Sequence, residues 1–173
     1  MKLFNYKNWD KKKILKETAI LIVMVLVVSN VMSYIRKPDL SSSALPQFNA
    51  LMIDGKKFNA KEYEGKPILV HLWATWCPVC KVEAPNIQML SEYYNVVTIA
   101  VKSGTDAEVQ DYMDKGGYNY KVINDEEGSW ASIYSVAAYP TTFVYSSEGQ
   151  ISFSEVGYTS TVGLFFRMWW AGL

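Results

Sequence analysis

The sequence predicts an α/β domain with a mixed central sheet flanked by helices, and three observations predict it. Two near-continuous apolar runs, 68–73 and 96–101, have the pattern of strands covered on both faces. Each is followed by a segment of helical character, so strand and helix alternate through the middle of the chain. Two further strand-like runs, 141–145 and 151–156, are joined by Glu148-Gly149, the mark of a tight antiparallel hairpin.

In chain order, residues 1–17 carry six lysines against Asp10 and Glu17, a net of +4. Residues 18–35 hold no charge over 18 positions, at the lower edge of the roughly 17–25 that a bilayer-crossing helix needs. The lysine cluster then predicts a cytoplasmic tail over 1–17, a single-pass signal anchor over 18–35 and export of everything after Arg36. A cleaved signal peptide is the competing reading, but no Ala-x-Ala site follows the apolar run. Residues 36–46, with three consecutive serines, Pro38 and Pro46, read as a linker, leaving 47–173 as one domain. Residues 36–173 bear 11 basic and 15 acidic side chains, a net of −4, and the whole chain is neutral. Nothing in this balance recommends nucleic acid as a partner.

Within the domain, Asp54-Gly55 between Leu51-Met52-Ile53 and Lys56-Lys57-Phe58 predicts a short hairpin, followed by a turn at 64–67. The strand at 68–73 leads into Cys77-Pro78-Val79-Cys80. Val82, Ile87, Leu90 and Tyr93 or Tyr94 then recur at helical spacing, predicting a helix to near Asn95. A strand at 96–101, a helix at 106–115 stopped by Gly116-Gly117, and a strand at 121–124 complete the alternation. A short helix at 129–134, the final hairpin and a helix at 161–170 close the chain. In that last helix Phe165, Phe166, Trp169 and Trp170 fall at a spacing that puts about half of them in the core. The others would meet a membrane edge or a partner.

The two cysteines close too short a loop to staple a fold, which makes the pair reactive rather than structural. At the N-cap of a helix, unpaired N–H groups and the positive end of the dipole stabilise a thiolate on Cys77, the attacking sulfur. Cys80, one turn further in, can resolve the mixed disulfide that results. Other uses of the pair remain open. With His71 as the only histidine, a tetrahedral zinc site is one ligand short, whereas soft thiolates also suit Cu(I), and an inert disulfide is a third use. Pro140, just before a strand, reads on its own as an ordinary trans proline opening an edge strand.

The segment Leu69-Val70-His71-Leu72-Trp73-Ala74-Thr75-Trp76-Cys77-Pro78-Val79-Cys80-Lys81 resembles the active site of the thioredoxin superfamily, in its membrane-anchored TlpA/ResA-like branch. The resemblance spans about residues 46–170. It implies a thioredoxin-like fold, a helix-kinking role for Pro85 and a cis peptide before Pro140. It also implies that Tyr139 and Pro140 lie against the disulfide, exclude metals from it and pair with an extended substrate segment. Trp76, Pro78 and Val79 would line the same face. Glu83 matches an acid that aids proton transfer in ResA-like reductases; read locally, it is a solvated first-turn carboxylate. His71 stands where thioredoxin has a buried Asp. It is there a proton acceptor, a cation favouring the thiolate, or a core histidine bonded to backbone.

The implied activity is exchange with protein disulfides, with no organic cofactor beyond the Cys77–Cys80 disulfide. The expected site is the outer face of a bacterial cytoplasmic membrane, and the expected electron donor a membrane thiol reductase. The direction expected is reductive, with a disulfide-forming oxidant or a Cu(I)-binding protein as alternatives. Cys77-Pro78-Val79-Cys80, Glu83-Ala84-Pro85-Asn86-Ile87 and Gly157-Tyr158-Thr159 together also resemble the suppressor-for-copper-sensitivity D family, which implies a connection with copper tolerance.

Overall fold

The computed structural model describes residues 11–35, 44–46 and 49–173. Residues 1–10 of the expected 1–17 tail and residues 36–43 of the expected linker lie outside the described residues. The chain divides into two units, Met1–Ile35 and Arg36–Leu173.

In the first unit, Lys11–Ile35 forms a 25-residue helix, α1. It starts seven residues before the expected span, because Lys, Leu and Glu are good helix formers and extend the turn pattern through the charged stretch. Among the described residues no helix is long and apolar enough to cross a membrane. The side chains at 22, 25, 26 and 29–35, ten of the 18 positions of the expected span, lie outside the description.

The second unit begins before position 47. Ala44 bridges to Gln150, Leu45 N donates to the Gly149 carbonyl at 2.8 Å, and Leu45 is buried. These residues, expected as linker, are held because an apolar Leu finds a core to enter. The strands β1 (Asn49–Leu51) and β2 (Lys57–Asn59) then form the expected hairpin, turning at Gly55 with a positive φ of 78°. A single 3-10 turn at Ala60–Tyr63, capped by the Asn59 side chain, was not anticipated.

β3 (Ile68–Trp73) has all six residues buried and leads directly to α2 (Pro78–Ser91). This helix ends four residues short of the expected Asn95. Tyr93 and Tyr94 fold back through hydrogen bonds to the Leu90 carbonyl, and Asn95 opens β4 (Asn95–Val101). α3 (Asp106–Gly116) starts with a reciprocal capping box between Thr105 and Glu108 and stops at Gly117, left-handed at φ 66°. β5 (Lys121–Asp125), α4 (Ser129–Ile133), β6 (Thr141–Tyr145), β7 (Ile151–Val156) and α5 (Thr161–Ala171) follow.

The sheet order is β5-β4-β3-β6-β7, parallel from β5 to β3 and antiparallel across β6 and β7. Alternation along β3 splits the core into two layers. Leu69 and Trp73 face Cys80, Ile87 and Leu90 of α2, Val109 and Met113 of α3, and Leu164 and Met168 of α5. Ile68, Val70 and Leu72 face the β1–β2 hairpin and Tyr134. One layer therefore forms beneath the cysteine-bearing helix.

Of the α5 aromatics, Phe165 is half-buried while Phe166, Trp169 and Trp170 are exposed. The core on that side is filled by Leu164, Met168 and Ala171, so the aromatic side chains are turned outward rather than shared evenly with the interior.

Candidate active site

Parallel strands deliver their C-terminal ends to one edge of the sheet, and β3 carries the chain from Trp73 to Cys77 at that edge. Cys77 is the N-cap of α2, in extended conformation (φ −83°, ψ 115°), and its sulfur accepts from Cys80 N at 3.2 Å. Pro78 occupies the first turn, where its missing N–H leaves no donor unpaired. Cys77 and Cys80 form a disulfide with Cα atoms 5.3 Å apart, and both are buried beneath the exposed Pro78 and Val79.

The Tyr139–Pro140 peptide is cis. The Tyr139 carbonyl oxygen stands 3.6 Å from Cys77 Sγ, presented to the sulfur by the loop that opens β6. Trp76 packs edge-to-face on Tyr139, centroids 5.8 Å apart, and its indole N–H donates to the Lys102 carbonyl at 3.0 Å. Ser103 Oγ accepts from Thr75 N at 3.0 Å, so the turn after β4 braces the approach to the cysteines. Trp76, Pro78, Val79 and Tyr139 thus form one partly exposed rim around the disulfide.

Glu83 is not the solvated carboxylate of the local reading; it is 0% exposed. The loop following β7 covers it. Thr159 N donates to Glu83 Oε1 at 3.0 Å, and Asn86 Nδ2 donates to the Thr159 carbonyl at 3.1 Å and to Tyr158 Oη at 3.2 Å. Thr161 Oγ1 in turn donates to Asn86 Oδ1 at 2.9 Å. The same loop reaches the proline, since Gly157 N donates to the Pro140 carbonyl at 2.8 Å. Gly157 takes φ 97°, a conformation L side chains rarely adopt. Among the described residues Glu83 Oε2 is buried with no hydrogen-bond partner, and burial pushes this carboxyl up to about 7 against the opposing pull of the Thr159 N–H.

His71 lies on the same sheet face, in register with Thr98 on β4 and Thr142 on β6. Its Nδ1 is 2.9 Å from Thr142 Oγ1, a side-chain partner rather than the backbone group expected of a core histidine. Burial alone holds the imidazole down to about 3, so it is neutral at ordinary pH and is no cation for the Cys77 thiolate. Pro85 lies inside α2, where it forgoes one helical hydrogen bond without ending the helix.

Asn86, Thr159, Lys102 and Ser103 were not identified as site residues from the sequence. The only signal for the first two was their place in the Glu83-Ala84-Pro85-Asn86-Ile87 and Gly157-Tyr158-Thr159 segments.

The redoxin profile matches residues 40–163. A thioredoxin-like protein of Haemophilus influenzae is 31% identical over 162 residues, covering 92% of this chain and 96% of that protein. The thiol-disulfide oxidoreductase ResA of Oceanobacillus iheyensis is 29% identical, covering 85% and 84%. Among solved structures, a thiol:disulfide interchange protein of the thioredoxin family from Chlorobium tepidum superposes with a TM-score of 0.66 at 26% identity, covering 77% of this chain and 98% of that one. With a helix-capping cysteine pair closed into a disulfide on this sheet, the chain belongs to the redoxin family and has its thioredoxin-like fold.

Proposed function

We propose that this thiol-disulfide oxidoreductase is a membrane-tethered reductant of protein disulfides outside the cytoplasm. One observation carries the reading: Cys77 caps α2, is bonded to Cys80, and lies beside the Tyr139 carbonyl at the exposed rim. In the reduced protein the helix N-terminus favours the Cys77 thiolate, which attacks one sulfur of a client disulfide and expels the other as a thiolate. The client segment lies along Tyr139 and Pro140, where the Tyr139 carbonyl offers an acceptor to its backbone. Cys80 then attacks Cys77, releases the reduced client and leaves the Cys77–Cys80 disulfide. Two electrons from a membrane thiol reductase restore the pair.

Glu83 serves as the proton store for Cys80. A carboxyl near neutrality can take the Cys80 proton as the thiolate forms and return it on re-reduction. Its free oxygen, Oε2, is the one available for this transfer, because Oε1 is held by Thr159. His71, neutral and bonded to Thr142, supports β3 rather than moving the proton.

The anchor is the uncharged stretch 18–35 within α1, with the lysine-rich side in the cytoplasm. A secreted disulfide oxidoreductase of Mycobacterium tuberculosis, 27% identical with a TM-score of 0.63, supports an extracytoplasmic domain.

Equilibrating the full chain with glutathione or dithiothreitol buffers tests the direction. A potential near roughly −270 mV supports the reductant, and one near roughly −120 mV makes the protein an oxidant. A reduced chain that holds Cu(I) tightly and does not exchange disulfides would move the function to copper binding, the copper-tolerance side of the resemblance.

A further inference from the structure

We infer that the exposed aromatic end of α5 rests in the headgroup region of the bilayer that holds α1, with the cysteines directed away from it; this rests on the membrane anchor proposed above. α5 has a single charged residue, Arg167, and it is committed to Glu155 through Nε at 3.1 Å and a terminal nitrogen at 2.9 Å. The outer face carries Phe166, Trp169 and Trp170, the two indoles 54% and 55% exposed. Tyr93, exposed and packed on Phe165 with centroids 5.6 Å apart, extends this surface onto the turn that follows α2. Trp and Tyr, apolar bodies with one polar tip, are the residues enriched where acyl chains meet headgroups.

The position of this patch in the fold selects the occupant. Ile68, at the start of β3, pairs with Tyr145, so the turn at 146–150 lies at the opposite end of β3 from the cysteines. Ser147 N donates to the Ala171 carbonyl at 3.3 Å, which fixes the C-terminal end of α5 at that turn. Leu45 N donates to Gly149 O, and Ala44 bridges to Gln150, so the chain enters the domain at the same turn. Eight residues, 36–43, separate Ile35 from Ala44. At no more than about 3.6 Å per residue they reach roughly 30 Å. The aromatic end is therefore the end at which the chain enters the domain. The six-residue β3, rising about 3.3 Å per residue, separates the cysteines from that end of the domain by roughly 20 Å. Because residues 36–173 carry a net of −4, anionic headgroups give no attraction, and the contact is made by aromatic side chains rather than charge.

The test uses the full chain in phosphatidylcholine vesicles whose lipids carry bromine at a shallow or a deep acyl position. The W169Q/W170Q double variant is run in parallel. Both positions are exposed and outside the disulfide site, so the variant should exchange client disulfides at the wild-type rate, which verifies its fold. The four other tryptophans are common to both chains. The expected result is an emission component of the wild type that shallow bromines quench more than deep ones, that high salt leaves unchanged, and that the variant lacks. Equal quenching in both chains, with vesicle flotation intact, overturns the docking alone. Loss of flotation overturns the anchor and the docking with it. Cross-linked dimers that need Trp169 and Trp170, without shallow quenching, overturn it in favour of a second copy covering this face.

Discussion

The head of α2 and the middle of β3 each bury one ionisable side chain on the same side of the sheet, and the same physics sends them in opposite directions. Glu83 is 0% and His71 2% exposed, and in both burial disfavours the charged form. For the carboxyl this moves the midpoint up, from 4.5 to about 7, into the range where thiols exchange protons. For the imidazole it moves the midpoint down, from 6.5 to about 3, out of that range. Residue type alone would have ranked them the other way, since histidine is the usual titrating group near neutrality.

The largest effect that sharpens this contrast is Cys77→Ser, which should abolish exchange with a client disulfide and set the scale for every other variant. Cys80→Ala should instead accumulate mixed disulfides through Cys77, visible on non-reducing gels. Against that scale, His71→Leu combined with Thr142→Val should keep most of the exchange rate. A loss as complete as that of Cys77→Ser would make the imidazole the proton acceptor and break the comparison.

The stability profiles come next. With its native midpoint below the unfolded one, His71 leaves the fold intact above about pH 6.5 and costs it stability as pH falls toward 3, by roughly 5 kcal/mol in the limit. The His71→Leu, Thr142→Val pair should flatten this acid limb in denaturant titrations. Glu83 has the reverse sign. Its contribution is intact below about pH 4.5 and declines as pH rises to about 7, by roughly 3 kcal/mol in total. Glu83→Gln keeps an oxygen for the Thr159 N–H, so it should remove that decline and gain stability relative to wild type at pH 8. In the exchange assay the same variant should lose a pH inflection near 7.

The smallest expected effect is Asn86→Ala. It removes three of the bonds that hold residues 158–161 to α2, leaving that of Thr159 N to Glu83, and should cost about 1–2 kcal/mol, with a shift of the Glu83 inflection toward the ordinary carboxylate range as water enters. An unmoved inflection would mean that α2 itself, and not the covering loop, sets the environment of Glu83.

What the sequence made legible was local. The two-residue cysteine spacing, the apolar run before it and the Gly116-Gly117 stop each depend on neighbours within one or two turns, and each element began where expected, although α2 stopped four residues early. What it hid was set by distant chain. Glu83 is buried by Thr159, 76 positions away, and His71 finds Thr142, 71 positions away. No periodicity within α2 or β3 registers either partner. The outward α5 aromatics were misjudged for the same reason. Helical spacing assigns a stripe, but Leu164, Met168 and Ala171 had already filled the interior.

β3 is flanked by β4 and β6, with every one of its six residues out of solvent. Its amides should be among the last in the domain to exchange with deuterium, whereas β5 and β7 at the margins open first. A fluctuation that frees an edge strand therefore leaves the sulfurs suspended from the slowest-opening part of the fold, so the geometry that a client meets does not follow the breathing of the sheet margins.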